Sequence, residues 1–217
     1  MVNRRGDVYF ITDKGTKVLE ELMPIYKDIQ ALHSGLSRVI DIFTLRPLWV
    51  YMYLLPIDVA LPTSVIVLAI SIALSYMAGV RLMGIFSYIN PLTPWYETPL
   101  SLAIYFLASY LVHTRLRPYV VFTRWLNYTM LSVIPIALSL SIASMFYMAM
   151  PSIYGGYAVF LMLVNYLAPL LSITSLSTWT ALESGISFES ITVVYLLILY
   201  IPSSIAYLMA MGIRVIP

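Results

Sequence analysis

Five apolar stretches without a single ionisable side chain occupy residues 61–80, 98–112, 126–149, 156–176 and 190–211. Four of them reach about 20 residues, the length at which a helix crosses a hydrocarbon core roughly 30 Å thick. That pattern fixes the solvent. Hydrophobic residues make up 61% of the chain and charged residues 10%, against about 45–50% and about 25% in a soluble domain, so too little polar surface exists to wet a water-soluble globule. The expected fold is an all-α polytopic membrane protein: a bundle of five transmembrane helices, preceded by a short N-terminal strand and an amphipathic helix. Pumps, proton relays and voltage sensors need ionisable groups inside the membrane, and these stretches offer none.

Other classes are excluded on similar grounds. A formal charge of +2 is too small to hold a nucleic-acid backbone by the chain as a whole. With no cysteine, disulfides, thiolate catalysis and cysteine metal sites are ruled out. His33 and His113 stand apart, without companions at metal-ligand spacing. Phosphate-loop, nucleophile-elbow and zinc-protease motifs do not occur. No cofactor, metal or catalytic residue is expected.

The chain divides into a polar arm (1–46), an interfacial or re-entrant segment (47–60) and a transmembrane domain (61–217). The arm holds seven of the twelve basic and six of the ten acidic residues. Val8 to Ile11 alternate as a strand does. Thr12 then stands where a helix N-cap belongs, with Asp13 in the first turn. Val18, Leu19, Leu22, Ile25, Ile29 and Leu32 follow at helical spacing, interrupted by Pro24. From Pro47 to Ile57 only 11 apolar residues occur before Asp58, too few to span, which predicts Trp49, Tyr51 and Tyr53 at headgroup depth.

Orientation follows from the loops. With the arm inside, five spans place Arg115, Arg117 and Arg124 in an inner loop, as the positive-inside preference asks, and put the C-terminus outside. Residues 81–97 become an outer loop. A second inner loop, 177–189, carries Glu183 and Glu189. Together Arg115, Arg117, Arg124, Glu183 and Glu189 form a candidate cytoplasmic contact surface. All four tryptophans, Trp49, Trp95, Trp125 and Trp179, fall near span ends, as an aromatic belt does.

Inside the spans, Ser71, Ser75 and Gly79 recur every fourth residue, and Ala137 and Ser141 repeat the pattern. Small residues on one face let helices approach closely, within one bundle or across a homodimer. Pro135, Pro169 and Pro202 each free a carbonyl four residues earlier, at Leu131, Asn165 and Ile198, and in lipid a free carbonyl needs another partner. Asn165 is the strongest polar side chain deep in a span. With Pro169 and Ser132 it forms a candidate polar notch, read either as a helix–helix hydrogen bond or as a substrate site.

Two resemblances are carried by particular residues. Tyr9, Ile11, Thr12, Gly15, Leu19 and Leu22 resemble the last strand and following helix of PadR- and MarR-type winged-helix regulators. Such a domain needs a helix-turn-helix before its wing, and only eight residues precede Tyr9, so the resemblance implies a domain cut short or a plain strand and helix. The order and spacing of the five spans, the segment Ser132-Val-Ile-Pro135 and the run Ser177 to Glu183 are similar to the Yip family. That resemblance implies an integral membrane adaptor without catalytic residues, whose partners are the lipid bilayer and another protein met through the arm and inner loops. The alternatives are a permease-like transport component and a membrane-anchored winged-helix regulator truncated at its N-terminus.

Overall fold

The computed structural model describes residues 2–5, 8–11, 35–89, 94–116, 121–149 and 156–212. The helix expected after Thr12, His33 and Arg117 lie outside the described residues. The fold is mostly helical, but it is not all-α. Two antiparallel hairpins interrupt it: β1 (Val2–Arg5) with β2 (Val8–Ile11), and β3 (Val80–Met83) with β4 (Phe86–Ile89). The strand expected at Val8 to Ile11 is β2.

Two short helices lead into the bundle, α1 (Gly35–Thr44) and α2 (Arg46–Tyr53). Leu45, in the left-handed conformation with φ 53°, turns the corner between them. Their outward residues are apolar, among them Ile42, Phe43, Leu48 and Tyr51, while Asp41, Arg46, Trp49 and Val50 are buried. Arg46 pairs with Asp41 at 3.5 Å and lies 4.7 Å over the Phe188 ring. Pairing is what makes burial of these charges tolerable.

Four long helices follow, α3 (Ile57–Ala78), α4 (Glu97–Leu116), α5 (Phe122–Ala149) and α6 (Gly156–Ser184), and then α7 (Phe188–Ala210). Four of these five helices are long and apolar enough to cross a membrane: Ile57–Ala78, Phe122–Ala149, Ala158–Ser184 and Phe188–Ala210. The chain is therefore a membrane protein by the length and composition of its helices. α4, which corresponds to the expected span 98–112, has 20 residues but a more polar sequence.

The small-residue seams meet each other. α3 buries Ala60, Ser64, Ser71, Ser75 and Ala78 and turns Val65, Ile66 and Ile70 outward. Its seam packs on α5, where Ser141 donates to the Ser71 hydroxyl at 2.8 Å. The seam read as packing within the bundle or across a dimer is thus used within the chain.

α7 contains a π-helical turn, Leu196–Tyr200. Its cause lies two residues on. Pro202 cannot donate to the Ile198 carbonyl, and the Ile201 N–H reaches back to Leu196 instead, a widened turn of the kind proline provokes. The bulge presents Tyr200 to Phe86 of β4, ring centroids 5.3 Å apart.

One expected loop is shorter than the sequence indicates. α6 runs on through Ser184, so most of 177–189 is helix, and Trp179 is buried within it. The tryptophans also differ from a belt. Trp49, Trp125 and Trp179 face inward, and only Trp95 is exposed. Each buried indole N–H has a partner: Trp49 donates to the Thr44 carbonyl at 2.8 Å, Trp125 to the Ser109 hydroxyl at 3.0 Å and Trp179 to the Trp49 carbonyl at 3.0 Å. With their polar tips satisfied internally, these rings need no headgroup water.

The main correction concerns residues 80–89. Residues 81–89 were expected within an outer loop and Val80 at the end of the first span, yet they form a hairpin inside the bundle, with Val80, Leu82, Ile85 and Phe86 almost wholly buried. Gly84, at φ 62°, opens the two-residue turn, the position at which a type II′ hairpin turn carries glycine. A Cβ on Gly84 would fall 2.6 Å from the Ser203 Cβ of α7. Gly185 has a similar φ of 72° but nothing within 4 Å of its notional Cβ. Gly84→Ala is therefore expected to cost about 1–3 kcal/mol more than Gly185→Ala, the overpacking component alone. Thermal unfolding of both variants in the same detergent checks this, and equal losses would mean that the hairpin tip is not packed on α7.

Candidate functional site

A hairpin in a membrane bundle has a problem at its edges, because backbone groups that point away from the partner strand have no water to meet. The register Met83↔Phe86, Leu82↔Ser87, Arg81↔Tyr88 shows which groups these are. Met83 and Phe86 close the two-residue turn as a hydrogen-bonded pair, so the next pair, Leu82 and Ser87, turns its N–H and C=O groups outward. All four are met by side chains. On the β3 edge the Leu82 N–H donates to the Thr98 hydroxyl at 3.1 Å, and the Ser101 hydroxyl donates to the Leu82 carbonyl at 2.7 Å. On the β4 edge the Ser87 N–H donates to Asn165 Oδ1 at 2.7 Å, while Asn165 Nδ2 donates to the Ser87 carbonyl at 2.9 Å. The Asn165 amide thus does what a third strand would do at that position. Ser101 also accepts from the Gly84 N–H at 3.0 Å.

Asn165 stands nine residues into the 29-residue α6, about 14 Å along its axis at 1.5 Å per residue. The hairpin therefore enters from the end of the bundle where α6 begins. At its base the Arg81 guanidinium donates to the Val80 carbonyl at 2.9 Å and to the Ser75 carbonyl at 3.3 Å. It also stacks 4.7 Å over Tyr76. Arg81, expected in an exposed loop, is buried by these contacts. The Tyr88 hydroxyl donates to Glu97 at the start of α4.

Beside the hairpin lies a cleft of about 360 Å³, lined by Val80, Ser87 and Tyr88, by Ala143 of α5, by Ala158, Leu161, Met162 and Asn165 of α6, and by Tyr207 and Met211. The Tyr207 hydroxyl interacts with the Asn165 side chain. The Ser87 hydroxyl is buried and has no hydrogen-bond partner among the described residues. Among the described residues no charged side chain lines the cleft.

The other residues of the expected notch have separate partners. Ser132 is bonded to the Tyr105 hydroxyl at 2.8 Å and donates to the Thr129 carbonyl at 2.7 Å. Pro169 is buried one turn beyond Asn165. Near the opposite end of the bundle Ser109, Thr129, Thr180 and Tyr195 continue a hydroxyl network. It borders a void of about 10 Å³ that His113 also lines, roughly one water in size.

At that end the candidate contact residues sort into two groups. Arg124 Nε and Glu183 Oε1 form an ion pair at 3.0 Å. The Tyr53 hydroxyl of α2 donates to Glu183 at 2.8 Å and accepts from Arg124 at 2.6 Å, and the Arg124 Nε–H also donates to Tyr128. The Tyr53 and Tyr128 rings stack at 5.0 Å. This latch ties α2 to α5 and α6. Arg115 and Glu189 are exposed, Glu189 in the first turn of α7, where a carboxylate suits the positive end of the helix dipole.

Thr98, Ser101 and Ser87 were missed as site residues. The available signal was a glycine flanked by apolar residues, Met83-Gly84-Ile85-Phe86, which is a hairpin pattern. Among the described residues no group of three or more His, Cys, Asp or Glu side chains stands ready for a metal ion. No family model, curated protein or solved structure matches this chain.

Proposed function

We propose that this chain is a five-span protein of the cell membrane, N-terminus inside and C-terminus outside, that works as a permease-like binding component. α4 is the fifth span. Its lower apolarity has a physical reason: Thr98, Ser101, Tyr105, Ser109 and His113 face inward to the hairpin and the hydroxyl network. Leu100, Ile104, Leu107 and Leu111 face outward at helical spacing. Apolar outside and polar inside is the arrangement lipid favours.

The observation that carries the binding reading is the cleft of about 360 Å³ at Asn165, a volume within the roughly 300–1,000 Å³ of small-ligand sites. Ala158 is exposed and lines it, so a bulky residue there blocks the cleft without entering the core. Mass spectrometry of the protein released from nanodiscs is expected to find a small molecule retained by the native chain and absent from Ala158→Trp. Equal retention by both overturns the reading.

Topology is tested separately. The chain has no cysteine, and Thr123 is exposed at the start of α5. A membrane-impermeant maleimide is expected to label Thr123→Cys in inside-out vesicles and not in intact cells. Labelling from outside alone overturns the orientation.

The adaptor reading is favoured by a different observation, the docking of α1 and α2 on the bundle through Arg46 and Tyr53, which would give the arm a fixed base. Co-purification of a protein that is lost when residues 1–34 are removed is the expected result on that reading, and an unchanged set of co-purifying proteins counts against it.

A further inference from the structure

We infer that the cleft takes the uncharged polar head of a membrane amphiphile, a lipid bearing a hydroxyl or carbonyl on an alkyl or isoprenoid chain, with its tail left in the bilayer. The inference rests on the binding reading above and names the ligand class.

Three observations select that class. First, among the described residues the lining carries hydrogen-bonding groups at Ser87, Asn165 and Tyr207 and no charged side chain. A charged head would lose its hydration there without gaining a counter-charge, which makes it far more costly to bury than a neutral one. Second, the Ser87 hydroxyl is buried in this wall without a partner among the described residues. Buried polar groups are nearly always satisfied, and a turn of the Ser87 side chain about χ1 toward the cleft would let a hydroxyl or carbonyl on an occupant complete this one. Third, Met162 of α6 and Met211, just past the end of α7, are each more than half exposed, on a surface that among the described residues includes the apolar Phe160, Leu163 and Met209. The cleft is therefore reached from the bilayer. Its volume lies within the roughly 300–1,000 Å³ of small-ligand sites, which is enough for a head group and the first carbons of a chain.

The test uses the full chain in nanodiscs and two photoactivatable probes of equal length, a diazirine-bearing hexadecanol and the corresponding hexadecyl phosphate. The alcohol is expected to cross-link to peptides of α6 and α7 around Met162, Tyr207 and Met211, and excess unlabelled hexadecanol to compete it away. Ala158→Trp is expected to abolish that labelling. Ser87→Ala removes a hydroxyl that has no partner among the described residues, so it should not lower the melting temperature. It is nevertheless expected to weaken the alcohol about three- to tenfold, the loss of one hydrogen bond. A fall in melting temperature with unchanged labelling would assign Ser87 a purely structural role and overturn its part in the inference. If the phosphate labels the same peptides as well as the alcohol does, the ligand class is overturned while the cleft remains a binding site. If neither probe labels them competitively, the inference fails, and retention of some other small molecule by the native chain, lost in Ala158→Trp, then separates this failure from failure of the binding reading itself.

Discussion

Asn165→Ala is expected to destabilise the protein by about 2–4 kcal/mol, although it removes a side chain of modest size. The reason lies in what it leaves behind. The Ser87 N–H and C=O would lose their partners at 2.7 and 2.9 Å in the middle of a membrane bundle, and each buried backbone group left unmade costs about 1–3 kcal/mol. The neighbouring cleft lets water recover part of that, so the total should fall below the sum of the two maxima. Asn165→Leu, which resists water as well as withholding hydrogen bonds, is expected to be worse than alanine, the reverse of the order that apolar packing alone would give. Ser132→Ala is the comparison. It strands one buried group, the Tyr105 hydroxyl, instead of two, so a loss of about 1–2 kcal/mol, roughly half that of Asn165→Ala, is expected. Unfolding equilibria of the three variants in one detergent supply the measurement. An Asn165→Ala loss no greater than that of Ser132→Ala would show that the amide does not seal the hairpin edge.

The second large effect is expected at the other end of the bundle. Arg124→Ala leaves Glu183, whose side chain is only 4% exposed, without the cation 3.0 Å away. Removing one partner of a buried pair typically costs about 3–5 kcal/mol. Arg124 is itself 36% exposed, so its charge is partly screened by water and the lower end, about 3 kcal/mol, applies. Glu183→Gln should cost less, because its side-chain oxygen still accepts from Tyr53. The double variant should be more stable than the two losses added together predict, by about 1–3 kcal/mol, since the buried charge that makes the first substitution costly is then gone. Hydrogen exchange adds an independent readout. Because Tyr53 joins α2 to this pair, Arg124→Ala is expected to speed exchange across Arg46–Tyr53. Additive losses together with unchanged exchange would mean that the pair neither couples energetically nor holds α2 in place.

These two sites show what kind of information the linear chain carries. Asn165 stood out in the sequence because a strongly polar side chain in a charge-free stretch has to find a partner in lipid. Its partner was not readable. Ser87 lies 78 residues away, in a segment that reads as an outer loop because it contains Arg81 and because strands of four residues give too few alternations to register as a period. Thr98 and Ser101 read as ordinary small residues at the start of a span, since nothing in their spacing reveals that a sheet edge lies opposite them. Arg124 and Glu183 could be placed at the same end of the bundle by counting spans. That they neutralise each other, and so are not simply open to a partner, follows only from how α5 and α6 pack.

The sequence by itself determined the solvent, the helical character, the approximate helix positions and the proline at which α7 widens, because each of these follows from composition or from residues within one or two turns of each other. Only the tertiary structure decided that residues 80–89 fold inward as a hairpin, that three of the four tryptophans face the core, and that a cleft opens beside Asn165. The physical reason is common to all three. In lipid, burying apolar surface does little to choose among arrangements, so the arrangement is selected by the pairing of scattered polar groups, and such pairs are set by the meeting of distant segments.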